Sequence, residues 1–124
     1  MRQKDTIQLL EKIADKYKKE YHLSTRIDIS KLGNYCYYNR KGDYIALALR
    51  YVQFRIGDNL RDYIFALLHE LKHAIDYTKS KESFEEEARW IDWAKYQESL
   101  EYHNSVPFEK RANDFAEKEV NLWL

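Results

Sequence analysis

A single cysteine, Cys36, stands in this chain of 124 residues, so no internal disulfide can form and a disulfide-built scaffold is excluded. There is one proline, Pro107, and only three glycines, which excludes collagen-like and linker-type sequence. No run approaches the roughly 20 apolar residues of a membrane-spanning helix, so no membrane partner is expected. Met1 to Thr6 is polar and is followed by no apolar stretch of signal-peptide length. With the lone cysteine, this leads us to expect a cytoplasmic protein. Lys plus Arg and Asp plus Glu each number 21, so the chain lacks the basic excess of a dedicated nucleic-acid binder, and no nucleic-acid partner is expected.

What the chain does have is 11 Tyr, 3 Trp and 5 Phe among 34% charged residues, enough large apolar surface to drive folding. The length suits one domain, residues 1–124.

The stretch from Asp58 to Thr78 contains His69-Glu70-Leu71-Lys72-His73, an HExxH pattern. Residues four apart are neighbours on one helix face, so both imidazoles can reach one tetrahedral ion while Glu70 stands beside it. Leu60, Ile64, Leu67, Leu71, Ala74 and Ile75 gather on the opposite face, predicting a helix with one packed side and one side toward a site. Asp62 and Asp76 share the histidine face, with the small Ala66 one turn before His69. Either Asp58 or Asn59 can cap the helix.

Upstream, Ile7, Leu10, Ile13 or Ala14, and Tyr17 predict an amphipathic helix over 5–20, with Asp5 and Gln8 placed as a capping box. His22 reads as a helix-end residue. Alternation over Ser24–Ile29, then Tyr35–Tyr38 and Tyr44–Leu49 around a glycine-containing turn, predicts strands, the last two forming a hairpin in a small antiparallel sheet. Ile45, Leu47 and Leu49 mark its buried face. The tyrosines serve either as strand formers or along an edge that pairs with an extended peptide. Cys36 reads as packing rather than as a nucleophile.

Downstream, 82–102 predicts one helix whose apolar stripe drifts from Phe84, Ala88 and Ile91 to Trp90, Trp93 and Leu100. Glu85, Glu86 and Glu87 suit the positive end of a helix better than a metal. Pro107 opens a last helix, with Phe108, Ala112, Phe115, Ala116, Leu122 and Trp123 as its stripe. Glu109 and Asn113 are four apart on its flank, so Glu109 is the favoured third metal ligand, with Asn113 either bonding a metal histidine or orienting the carboxylate. His103 is the alternative third ligand.

The two motifs together, His69-Glu70-Leu71-Lys72-His73 and Pro107-Phe108-Glu109-Lys110-Arg111-Ala112-Asn113-Asp114-Phe115-Ala116, resemble the ImmA/IrrE family of metallopeptidases, most of the chain being covered. The resemblance implies an α+β fold with a thermolysin-like, zincin-type core. In it His69, His73 and Glu109 hold zinc and Glu70 is the base. It also implies a partner: a regulatory protein, such as the repressor of a mobile element, phage or stress regulon.

These expectations amount to a zinc-dependent endopeptidase. Three protein ligands leave one zinc position for a water, and Glu70 takes its proton and passes it to the leaving nitrogen. The oxyanion donor is sought among His103, Tyr96, Tyr102 and Tyr77, with His103 preferred as a catalytic residue. Two other readings stand beside this one: a catalytically silent, zinc-stabilised binding module of the antirepressor type, and a SprT-like protease acting on DNA-bound proteins.

Overall fold

The structure is a computed structural model describing residues 3–124, so Met1 and Arg2, the start of the polar N-terminal stretch, lie outside it. Helix α1 spans Gln3–Glu20. It buries Leu10, Ile13, Ala14 and Tyr17, the expected stripe. The helix already includes Gln3, so Asp5 sits within its first turn and not ahead of it as expected. Its far end unwinds through His22, exposed at φ 55°, while the Leu23 amide returns to the Lys18 carbonyl at 2.8 Å.

Three strands follow: β1 (Arg26–Ser30), β2 (Tyr37–Asn39) and β3 (Tyr44–Ala48). The hairpin is present, β2 running antiparallel to β3, but the sheet as a whole is mixed. Its order is β1-β3-β2, with β1 parallel to β3. Alternation assigns side chains to faces and carries no information on strand direction, which explains why an antiparallel sheet was expected. The second strand also starts two residues later than expected, leaving Tyr35 outside it and exposed.

In the hairpin turn it is Asp43, not glycine, that takes the left-handed conformation at φ 50°. Its carboxylate accepts hydrogen bonds from Ser24, Thr25 and Tyr38 at 2.7, 2.7 and 3.1 Å. Gly42 is needed for close approach, because a Cβ there would meet the Tyr44 ring at 2.9 Å.

Directly after β3 the chain enters α2 (Leu49–Arg55), an element too short for its periodicity to stand out in the sequence. Then comes α3 (Leu60–Lys79), the HExxH helix. Asn59 is its N-cap, exchanging bonds with Asp62 in a capping box, so Asp62 serves the helix start and not the site. Asp58 accepts instead from the Tyr63 hydroxyl at 2.6 Å. Ile64, Leu67, Leu71 and Ala74 are fully buried against α1, β3 and α2 in the main core.

Residues 82–102 form three short helices in place of the single one expected: α4 (Lys81–Arg89), α5 (Trp93–Glu98) and α6 (Leu100–Ser105). Ser80, Asp92 and Ser99 cap each start with side-chain oxygens, which offsets the lost helical hydrogen bonds. The drifting stripe has this cause: Phe84 and Ala88 are buried, whereas Trp90, Trp93 and Leu100 are exposed. Glu85 and Glu87 pair with Arg40 and Arg111, and Glu86 pairs with Arg89, so these carboxylates serve as partners for arginines on and around α4.

Helix α7 (Pro107–Glu119) begins at Pro107 as expected and packs along α3. It ends in a 3₁₀ turn, Val120–Trp123, whose tighter winding buries Val120 and leaves Leu122 exposed, contrary to the expected stripe. A second apolar cluster, Phe84, Ala88, Val106 and Phe108, joins α4 to α7 beside the histidines. Among the described residues no helix is long and apolar enough to cross a membrane.

Candidate metal centre

Two helices build the site. Helix α3 brings His69, Glu70 and His73, and α7 crosses it to bring Glu109 and Asn113. The ligand atoms of His69, Glu70 and His73 lie within 4.8 Å of one another, which is within reach of a single metal ion.

The two carboxylates differ in approach. Glu70 Oε1 stands 4.0 Å from His69 Nε2 and 3.9 Å from His73 Nε2. Glu109 Oε1 comes to 2.9 Å from His69 Nε2 and 2.7 Å from His73 Nε2. Its other oxygen accepts from the Tyr96 hydroxyl in a very short bond and contacts His103 Nε2 at 3.1 Å. One carboxylate, only 3% exposed, thus gathers three imidazoles and a phenol.

His69 is held from both sides, since its Nδ1 lies 2.8 Å from Asn113 Oδ1. An imidazole between two acceptors must carry protons on both nitrogens or present Nε2 to a cation in place of a proton. His73 is fixed by packing, its ring edge-on to Phe108 at 5.6 Å, and Phe108 stacks on Phe84 at 4.6 Å. His73 Nδ1 and Glu70 Oε2 are buried with no hydrogen-bond partner among the described residues.

Burial raises the Glu70 carboxyl above its ordinary range, against the opposing pull of His69 and His73. Burial acts on Glu109 in the same sense, but hydrogen bonds from His103, His69 and His73 outweigh it and hold Glu109 far below the carboxylate range. For His69, burial disfavours the charged ring, yet the Glu109 bond and the charges of Glu70 and Glu109 raise it overall. The Glu109 bond likewise raises His103 against its burial. Tyr96 is raised by burial and then by the charge of Glu109.

Two imidazoles and a carboxylate are a donor set that zinc accepts, and the distances from Glu109 to the two nitrogens are near what it requires. Bonds of about 2.0–2.1 Å at tetrahedral angles separate neighbouring ligand atoms by about 3.3 Å, so Glu109 needs to withdraw by only about half an ångström.

The site opens into a cavity of about 560 Å³ whose walls include Cys36, Tyr38, Ala66, Phe84, Trp93 and His103. Ala66 lies on this wall as expected, and a larger side chain would protrude into the space. Among the four oxyanion-donor candidates, Tyr96 and His103 reach the site. Tyr77 and Tyr102 do not line the cavity, and Tyr102 accepts from the Asp92 amide at 2.9 Å. Asp76, expected on the histidine face, pairs with Lys72 at 3.0 Å and with Arg111 at 3.1 Å. Cys36 is half-buried against Ala48, with its thiol pushed up to about 11 by burial, in keeping with packing.

Sequence reasoning missed the cavity wall supplied by α2 and the residue after it, Tyr51, Arg55 and Ile56, and by Phe65. No motif marks those positions; only the fold of α2 onto α3 brings them there.

Compared with family models, with curated proteins and with solved structures, the chain matches none.

Proposed function

We propose that this chain is a zinc-dependent endopeptidase with a zincin-like core. The observation that carries the reading is the approach of Glu109 to both HExxH histidines, while Glu70 stands about an ångström further off beside the same space. His69, His73 and Glu109 would hold the metal, and His103 is thereby assigned a different role from the alternative ligand. When bound, zinc supplies Lewis acidity that activates a water at neutral pH and polarises a peptide carbonyl.

The protein's own groups supply the proton traffic. Glu70, buried and near the histidines, takes the water's proton and delivers it to the leaving nitrogen, a task favoured by a carboxyl that burial makes more basic than usual. His103 Nε2 and Tyr96 Oη, both turned on Glu109 here, are the donors closest to where an oxyanion would develop. Asn113 holds the His69 ring in orientation through Nδ1. The apolar rings of Phe84 and Phe108 keep water from the back of His73.

The substrate is proposed to be a regulatory protein, such as a repressor, on the strength of the ImmA/IrrE resemblance in the two motifs. Metal analysis by mass spectrometry and a cleavage assay on the candidate substrate test the whole reading. Wild type is expected to carry about one zinc per chain, and Glu70→Gln to keep it while losing about 10²–10⁴-fold in rate. Undiminished cleavage by Glu70→Gln would remove the mechanism, and undiminished biological activity without cleavage would make the chain a capturing module.

A further inference from the structure

The cavity has two arms along α3. Past His73 it is walled by Tyr38, Arg40, Phe84 and Phe108; before His69 it runs between Phe65 and Ala66 of α3 and Tyr51, Arg55 and Ile56. From Phe65 to His73, the stretch of α3 that lines the cavity, the helix rises roughly 12 Å, the span of about three or four extended residues, so the histidines lie in a groove long enough for a short peptide.

The arms differ in charge. Among the described residues the cavity's carboxylates are Glu70 and Glu109, both committed to the histidine cluster, and its guanidiniums are Arg40 and Arg55. Arg40 is neutralised by Glu85 at 2.8 Å. Arg55 has no carboxylate within ion-pair distance among the described residues; its guanidinium lies over the rings of Phe54 and Tyr51, at 5.5 and 5.9 Å. Ile56 beside it, on the cavity wall, is 52% exposed, a large apolar surface left open next to the guanidinium. Arg55 is exposed, with apolar neighbours and no carboxylate partner among the described residues, so its charge is available to an acidic group on a ligand.

We propose that the arm between α2 and α3 is a specificity subsite for an acidic substrate residue, held by Arg55, with an adjoining large apolar residue laid on Tyr51, Ile56 and Phe65. The subsite rests on the peptidase reading for its use, not for its recognition chemistry. Arg55 is a specificity-determining residue and takes no part in bond cleavage. The acidic residue falls roughly two to four residues from the scissile bond, since Phe65 precedes His69 by about 6 Å of helix rise.

The test uses zinc-loaded protein and synthetic decapeptides with a central Phe, each other position carrying Glu, Gln or Lys in turn. Cleavage is followed by mass spectrometry, and binding of the same peptides, fluorescein-labelled, is measured by anisotropy on Glu70→Gln. At one position Glu is expected to exceed Lys by about tenfold in kcat/KM and in affinity, Arg55→Glu to reverse that order and Arg55→Lys to keep it. Absence of any Glu-over-Lys preference overturns the proposal, as does a preference that survives Arg55→Glu but vanishes in Arg40→Gln. If no peptide is cut yet the binding preference follows Arg55, the peptidase reading fails and the subsite stands; cleavage without charge preference gives the reverse. A dT12 oligonucleotide that displaces the peptides in an Arg55-dependent manner would transfer the site to nucleic acid and also overturn it.

Discussion

Replacing Glu109 by Gln tests the centre of the site, because it keeps the shape and removes the charge on which His69, His73, His103 and Tyr96 converge. Breaking a buried ion pair from one side costs about 3–5 kcal/mol, chiefly through the charge left behind. Glu109 is only one of the groups around the histidines, Glu70 standing about 4 Å from both, so we take the lower end, about 3 kcal/mol in the metal-free protein. For a chain of this size that is a fall in Tm of roughly 10–15 °C.

The pH dependence has a definite sign. Glu109 is depressed in the folded protein, so its contribution is present above the ordinary carboxylate value of 4.5 and is lost as pH falls. His69 and His103 are raised, so theirs is complete below 6.5 and is lost as pH rises through their folded values. The gap between wild type and Glu109→Gln should therefore be widest near pH 5–6 and narrow toward pH 9, measured by calorimetry on chelator-treated protein. Zinc affinity, from competition with a chromophoric chelator, should drop by more than about 100-fold, beyond what loss of an outer hydrogen bond costs. Unchanged zinc affinity, or Tm within about 2 °C at pH 5.5, would refute the assignment of Glu109 to the metal and to the charge cluster.

Asn113→Ala should weaken zinc binding by about 10–100-fold through loss of the His69 Nδ1 partner, and Asn113→Asp should restore it; equal affinity for all three in the same competition assay would show that Asn113 does not orient the ring. Leu71→Ala, at a fully buried position on the core face of α3, should cost about 2–5 kcal/mol by urea unfolding, with loss under about 1 kcal/mol contradicting that face assignment. Cys36 should react slowly with a thiol reagent at pH 7.5 and quickly once unfolded, because burial holds its thiol near 11; a fast native reaction would show the thiolate to be accessible.

The parts of this molecule legible in the sequence are those set by local periodicity. His69 and His73 share a helix face because they are four apart, and the core face of α3 follows from the same 100° step. Glu109 and Asn113 reach their partners for the same reason, once α7 is recognised from Pro107 and its apolar stripe. The β2–β3 hairpin is likewise local, its turn carried by Asn39, Gly42 and Asp43.

Tertiary structure decided what depends on groups far apart in the chain. Glu109 lies 40 residues from His69, and the packing of α7 on α3 brings its carboxylate to both histidines, whereas Glu85, Glu86 and Glu87, nearer in sequence, are held by arginines. The parallel pairing of β1 with β3 is of the same kind, as is the cavity wall with Arg55, whereas the division of 82–102 is made by local caps, Asp92 and Ser99, that apolar periodicity does not register. Helical spacing determines which side chains share a face; the energetics of burial between distant elements determine what that face meets.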